Sequence, residues 1–384
     1  MKILFALLSL LLLTGCSSQT QALPETTVPT THPTVQILPP ETTKETTPPD
    51  PIRDMMDQMS LEERVGQLFL ARCDDAYALE HIQQYHLGGF VLFGADFRDE
   101  NPDSMSAKIA DYQAAAKIPL LIAVDEEGGT VTRISHNSSF RSSKFPSIRD
   151  LYTSGGVDAV LAVEDEKCQL LSSLGINVNL GPVCDLTTDP NAFMYKRSLG
   201  QDVQTTADVI FTMIWKMNTH HIGSVLKHFP GYGNNTDTHT GIAVDSRPLD
   251  ELESRDLVPF LSGIQAECGS IMVSHTIVEC MDPELPASLS PAVHQYIRQE
   301  MGFEGVIVTD DLEMQAITDL YGAGEAAVLA VLAGNDLLCS SDYVTQYEAV
   351  LAAVLDGRID IDTLNSAVRN VLEWKIELGL INRI

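Results

Sequence analysis

Several stretches of the sequence combine titratable side chains with chain-bending residues, a pairing that suits acid–base and nucleophilic chemistry. The densest is Lys227-His228-Phe229-Pro230-Gly231-Tyr232-Gly233-Asn234-Asn235-Thr236-Asp237-Thr238-His239. It follows the apolar run Ile222–Leu226 and then breaks into Pro, Gly and Asn, the composition of a loop. Asp237 and His239 stand at i and i+2, so in extended backbone their side chains share a face. A carboxylate beside an imidazole fixes its tautomer and stabilises its charged form, which suits a general acid/base near neutral pH. A solvated polar loop with incidental histidines is the competing reading of this stretch alone.

A second stretch, Val306-Ile307-Val308-Thr309-Asp310-Asp311-Leu312-Glu313-Met314, ends an apolar run on adjacent carboxylates. Asp310 falls where the backbone leaves the strand and can point at a site, whereas Asp311 points elsewhere and suits a helix N-cap. Asp310 with the Asp237/His239 pair would supply a nucleophile and a proton donor, the two functions glycoside hydrolysis needs. In Asp125-Glu126-Glu127-Gly128-Gly129-Thr130-Val131-Thr132-Arg133, a carboxylate precedes two glycines and an arginine that can fold back on it. Asp125 and Arg133 together suit hydrogen bonding to sugar hydroxyls, and a buried structural ion pair is the alternative. Arg197, in Lys196-Arg197-Ser198-Leu199-Gly200, adds a guanidinium on a loop. Ideal pleating would send Lys227 and His228 to opposite faces, so a pocket lined by both requires irregular backbone near Pro230.

These groups need a scaffold, and the chain alternates short apolar runs with amphipathic segments. Strands are expected at Gln67–Ala71, Gly89–Phe93, Leu120–Val124, Ile176–Leu180, Ser224–His228, Ser270–Ser274, Val306–Thr309 and Asp336–Cys339. Most are too continuously apolar for a one-sided antiparallel sheet. Helices are expected at Asp54–Val65, with a capping-box pattern from Ser60 that can open a second helix, and at Ser106–Ala116, Val157–Leu174, Thr205–His220, Leu249–Glu267, Pro291–Met301, Gly324–Ala333 and Asp362–Leu378. The alternation predicts an α/β fold, a (β/α)8 TIM-type barrel forming a single catalytic domain, with a doubly wound sheet as the competitor. Asp125, Asp185, Lys227-His228, Ser274-His275 and Asp310-Asp311 all follow strand ends, the face on which barrels build active sites.

Met1 to Leu13 is a short charged start and an apolar run, followed by Thr14-Gly15-Cys16, and reads as a secretory signal too short to remain in a bilayer. The Cys after Leu-Thr-Gly resembles the lipobox of bacterial lipoproteins, which would make Cys16 the acylated N-terminus of residues lipid-anchored to the outer face of the cell membrane. Residues 17–51 are rich in Thr and Pro with almost no aromatics and read as a disordered tether, leaving 52–384 as the catalytic domain. The formal charge of −29 argues against a nucleic-acid partner. The remaining cysteines show no Cys-x-x-Cys spacing, so neither a zinc nor a redox motif is present, and Cys184 and Cys339 read as buried thiols. No metal or cofactor is expected.

Together, Asp125-x-Glu127-Gly128-Gly129, Lys196-Arg197-Ser198, Lys227-His228-Phe229-Pro230-Gly231, Asp237-x-His239 and Thr309-Asp310-Asp311-Leu312 resemble the bacterial β-N-acetylhexosaminidases of glycoside hydrolase family three. The resemblance runs from about Ile52 to the C-terminus. It implies a retaining enzyme that releases terminal β-linked N-acetylglucosamine from cell-wall muropeptides or other glycans through a glycosyl-enzyme on Asp310. It implies further that His239, held by Asp237, is acid and then base, and that Asp125, Arg133, Arg197, Lys227 and His228 bind the sugar. The chain departs from the family pattern at Tyr232 (usually His) and Thr238 (usually Ser), and its loop to the acid/base His is one residue shorter. Expected partners are a carbohydrate substrate and a membrane reached only through the lipid, with the protein a monomer. The alternatives are a β-glucosidase of the same family, a metal-dependent barrel hydrolase using His228, Asp237, His239, His275 and Asp310, and a sugar-capturing lipoprotein.

Overall fold

The computed structural model describes residues 50–233 and 241–382. Residues 1–49, with the expected signal and most of the expected tether, therefore lie outside the described residues, as do Asp237 and His239. Asp50 and Pro51, expected to end the tether, instead cap and open a helix, because the Asp50 carboxylate accepts from Arg53 N and Pro suits a first helical turn. Eight short strands form the centre: β1 (Phe69–Arg72), β2 (Gly89–Leu92), β3 (Leu121–Val124), β4 (Val178–Asn179), β5 (Gly223–Phe229), β6 (Ser270–Val273), β7 (Val306–Thr309) and β8 (Leu338–Ser340). From β1 to β7 each pairs in parallel with the next in sequence, and β1 also pairs with β8. Thr309 N donates to Leu337 O (3.1 Å) and Leu337 N to Ile307 O (3.1 Å), which closes the ring between β7 and β8. The result is the expected (β/α)8 barrel. Every expected strand has its counterpart, because each is a buried apolar run covered by helices on its outer side.

The helices differ from expectation in instructive ways. The segment read as one helix from Asp54 to Val65 is two, α1 (Pro51–Asp57) and α2 (Leu61–Gln67). Ser60 separates them: its hydroxyl accepts from Glu63 N (3.2 Å) while the Glu63 carboxylate accepts from Ser60 N (2.9 Å), a reciprocal cap that starts a new helix. Helix α3 (Ile148–Leu174) begins well before Val157 and kinks at Gly155-Gly156, two residues that broke the apolar period on which the sequence reading relied. The helix Tyr343–Leu355 was not foreseen, and neither was a small three-stranded sheet of Val244–Asp245, Ile277–Val278 and Asp282–Pro286 beside the barrel mouth's β6 loop. Among the described residues Cys73, Cys168, Cys184, Cys268 and Cys339 are buried free thiols, and Cys280 is exposed.

The end of the barrel opposite the strands' C-termini is plugged by α5 (Ile361–Glu377); α4 (Val203–Thr219) flanks β5. Val371 and Trp374 of α5 join the interior layer of Leu70, Val91, Leu121, Val178, Val225 and Met272. Trp374 packs against Gly223 and Gly269, at or just before the starts of β5 and β6, where any side chain would collide with the indole. Asn370 donates to Asp336 (2.8 Å) and Lys375 donates to the Gln67 side chain (2.7 Å), fastening the plug at two further strand starts. Helix α1 lies on the same side, with Asp50 paired to Arg369 of α5.

Lys375 is fully buried with no carboxylate partner among the described residues, and burial pulls its ammonium down to about 7. The unfolded chain holds this group near 10.5. A lysine lowered on folding is penalised in full below the folded value, and the penalty fades as pH rises toward the unfolded one. Wild type should therefore gain stability relative to Lys375→Met between about pH 7 and pH 10, by up to ~1.4 kcal/mol per pH unit. Thermal melts of both proteins across that range check this, and a constant difference would contradict it.

Candidate active site

The strands' C-terminal ends surround a cavity of about 800 Å³. Asp125, Arg133, Arg197, Lys227, His228 and Asp310 all line it, so six of the residues singled out in the sequence meet in one place. Lys227 and His228 both face it although they are neighbours in β5. The backbone there is irregular: the pairing of β5 with β6 shifts register between Leu226 and Phe229, and the Lys227–His228 peptide is cis.

The cavity wall is organised by a chain of charges. Lys227 Nζ, in a side chain only 2% exposed, lies 2.6 Å from Asp125 Oδ1 and 2.7 Å from Glu127 Oε1. Arg197 grips Glu127 in the two-pronged manner of a guanidinium, with Nε 2.9 Å from Oε2 and Nη2 2.7 Å from Oε1. Burial alone would raise Glu127, but Lys227 and Arg197 overrule it and hold the carboxyl well below the usual carboxylate range. Burial would lower Lys227, and Asp125 and Glu127 raise it instead. Asp125 is bound more loosely on its other oxygen, 3.4 Å from Arg133 Nη2. That leaves Asp125 as a charged acceptor at the cavity wall, while Glu127 is spent on its two cations.

His228 occupies the other side of Arg197, whose Nη2 is 3.2 Å from Nε2 of the ring. Guanidinium can only donate, so Nε2 accepts and Nδ1 carries the proton, which it donates to Asp185 Oδ2 at 2.8 Å. Asp185 also accepts from the backbone N–H of His228 (3.2 Å) and of Tyr232 (2.7 Å), tying down both ends of the Lys-His-Phe-Pro-Gly turn. Tyr232 is buried with its ring edge-on to His228 at 5.2 Å and to Phe193 at 5.6 Å. Tyr232 thus packs against the end of the Lys-His-Phe-Pro-Gly turn.

Glu127 and Asp185 are the residues that the sequence reading passed over. Glu127 stands at i+2 from Asp125, the spacing that puts two side chains on one face, which was the available signal. Asp185 was noted only as a strand-end carboxylate. Glu126, between the two working acids, turns away: it is fully buried and accepts from the backbone of Arg133 (2.8 Å) and Ile134 (2.7 Å) and from the Ser135 hydroxyl. It folds the loop so that Arg133 returns over Asp125.

Asp310 follows β7, its N–H donating to Val273 O (3.1 Å) and its Oδ1 accepting from Asp311 N (2.9 Å). Asp311 is not the helix cap expected. It accepts from Glu313 N (3.1 Å) and from the backbone and hydroxyl of Ser341 (3.1 and 2.5 Å), binding the β7 loop to the β8 loop, and the next helix begins only at Gln315. The described histidines do not converge on a metal. His275 is held between the Ser288 hydroxyl (2.7 Å) and Asp311 O (3.0 Å), and both His228 nitrogens are engaged. Among the described residues Cys73, Asp75 and Asp96 do cluster, but Lys108 and Tyr112 bind Asp75 at 2.7 and 2.8 Å, and burial pushes the Cys73 thiol up to about 12.

Comparison with known proteins gives this constellation a family. The profile of the Glycosyl hydrolase family 3 N terminal domain matches residues 60–374. The chain belongs to glycosyl hydrolase family 3. Within it, Beta-hexosaminidase LpqI of Mycobacterium tuberculosis is 33% identical over 307 residues, covering 78% of this chain and 76% of the relative. Beta-hexosaminidase A of Pseudoalteromonas piscicida is 28% identical over 327 residues, 78% of this chain, and the match spans only 55% of that protein's length. A solved family 3 beta-N-acetylglucosaminidase from Paenibacillus sp. str. FPU-7 superposes with a TM-score of 0.78 at 31% identity, covering 84% of this chain and 63% of that one.

The family 3 cavity depends on Glu127 remaining charged. Removing one partner from a buried ion cluster costs ~3–5 kcal/mol, because the remaining charges are left unpaired. Glu127→Gln should therefore lower the unfolding free energy by about that amount and cut kcat/KM by ~10²-fold where the protein is still folded. Denaturant titration and steady-state kinetics read the two effects, and a variant unchanged in both would contradict the description of the cluster.

Proposed function

We propose that this protein is a retaining exo-β-N-acetylhexosaminidase that hydrolyses terminal β-linked N-acetylglucosamine. The observation that carries the reading is that Asp310 opens into the same cavity as Asp125, Lys227, Arg197 and Arg133. A carboxylate at the floor of a pocket whose walls offer both charged acceptors and charged donors suits a sugar, whose hydroxyls need both. Asp310 attacks the anomeric carbon and forms a glycosyl-enzyme with inversion. Water then displaces Asp310 with a second inversion, so configuration is retained. His239, oriented by Asp237, protonates the departing oxygen and afterwards takes a proton from the water. Asp125 and Lys227 hold ring hydroxyls, Arg133 and Arg197 reach over the same face, and His228 contributes by orienting Arg197.

The names of the relatives support N-acetylhexosamine as the sugar, with muropeptides or other glycans as the source. The Leu13-Thr14-Gly15-Cys16 sequence supports export and lipid anchoring through Cys16 to the outer face of the bacterial membrane, with residues 17–51 as tether. We treat the enzyme as a monomer working there without metal or cofactor.

Nitrophenyl β-N-acetylglucosaminide should be turned over in preference to the β-glucoside. Asp310→Ala should abolish turnover, and His239→Ala should lower kcat by ~10²–10⁴-fold. With a dinitrophenyl leaving group, which departs without protonation, the His239→Ala deficit in the glycosylation step should largely vanish. Equal glucoside turnover with His239 dispensable would instead favour the β-glucosidase reading.

A further inference from the structure

Arg197 and Glu127 reach each other from two different loops, and neither loop is regular. Arg197 follows the single turn Phe193–Lys196 in the long connection between β4 and α4. Glu127 lies in the connection after β3. Both connections rest against the first turn of α3. On one side Gly129 N donates to Phe145 O (2.9 Å), and a Cβ on Gly129 would fall 2.7 Å from the Cβ of Ser147, the helix's N-cap. On the other side the second residue of α3, Arg149, extends into the Arg197 loop.

Arg149 spends its guanidinium on that loop. Nε donates to Tyr195 O (3.0 Å), and Nη2 donates to Thr187 O (3.0 Å) and to the Ser198 hydroxyl (2.9 Å). The guanidinium carbon stacks 4.0 Å from the centre of the Tyr195 ring. Gly200, at φ +72°, lies so close that a Cβ there would fall 2.0 Å from Nη1. The residues one and two positions from Arg197 are thus anchored to one rigid plane, which also bonds Thr187 earlier in the loop and packs against Gly200 after it. A planar group with several donors in fixed directions can do this, and a lysine cannot.

We propose that Arg149 is a positioning residue for Arg197: it registers the loop against α3 so that Arg197 meets Glu127 through two bonds and stays beside His228. The inference rests on the proposed role of Arg197 in sugar binding, but its geometric content can be tested apart from that role. The start of α3 is then the common support of the two loops that face each other across the pocket wall.

The experiment is a double-mutant cycle in the full chain with Arg149→Ala, Arg197→Ala and the pair, alongside a crystal structure of Arg149→Ala. Arg149→Ala should raise KM and lower kcat/KM about tenfold, and Arg149→Lys should not rescue it. Added to Arg197→Ala, it should cost less than about a further twofold, as expected when one residue acts through the other. Arg141→Ala removes another guanidinium that braces α3, through Glu166, and should lower the melting temperature without moving KM. If Arg149→Ala does not fold, Gly200→Ala displaces the guanidinium while keeping it and should reproduce the KM effect. Where Arg197→Ala itself impairs turnover, losses that multiply, or an unchanged KM in Arg149→Ala, would overturn the proposal. If Arg197→Ala itself has no kinetic effect, the sugar-binding role of Arg197 fails. The crystal structure then decides: loss of the paired Arg197–Glu127 contact upholds the inference, and its retention refutes it.

Discussion

The shared ammonium of Lys227 is the interaction on which the mouth of this barrel depends. A lysine 2% exposed would lose its proton if left alone, and two carboxylates this close would repel each other without it. Lys227 and the two carboxylates leave one negative charge in excess, which Arg197 balances by pairing with Glu127. Lys227 and Glu127 are buried, which strengthens their attraction, and each member has a position fixed by the others. Asp125 is the exception, with one oxygen committed to Lys227 and the other only loosely met by Arg133. On the proposed reading, that asymmetry is what lets Asp125 accept from a sugar hydroxyl.

The cluster is supported from behind and below. Lys167, buried in α3 and paired with Glu164 at 2.8 Å, lies 3.4 Å from the carbonyl of Glu127. Asn179 of β4 fixes the next residue back, accepting from Glu126 N at 3.0 Å. At the far end of the barrel α5 fills the interior with Val371 and Trp374, which pack against the apolar layer of the strands. The two ends of the barrel interior therefore differ: an apolar layer backed by a helix toward the strand starts, and a charged cavity where the strands finish. This is the division that lets a barrel keep its stability away from its reacting groups.

The sequence was most legible where one physical rule acted alone. Buried parallel strands are continuous apolar runs, so all eight could be read, and the polar residues following them marked the working face. The capping box at Ser60 was visible, but whether it split a helix depended on the packing of α1 and α2. The Gly155-Gly156 kink hid the start of α3, because two glycines interrupt the periodicity that defines a helix in sequence. Asp125, Arg133 and Asp310 were singled out by type and placement and Arg197, Lys227 and His228 chiefly by the family resemblance, and all six line one cavity. Glu127 was quoted within a motif but given no role, because which of three adjacent acids faces the cavity depends on the pleating. Arg149 carries no motif at all: two of its three hydrogen bonds go to main-chain carbonyls, which no side-chain pattern reveals.

The account stands or falls on Asp310 being the group that attacks the sugar from the floor of this cavity. The direct test is to trap the intermediate with a 5-fluoro-N-acetylglucosaminyl fluoride and identify the labelled peptide by mass spectrometry. The account predicts one sugar per chain, bonded to Asp310 in the peptide that follows β7, with activity returning as the adduct hydrolyses. Label on Asp311 or Glu313, or turnover of the fluoride with no covalent adduct at any point, would contradict it.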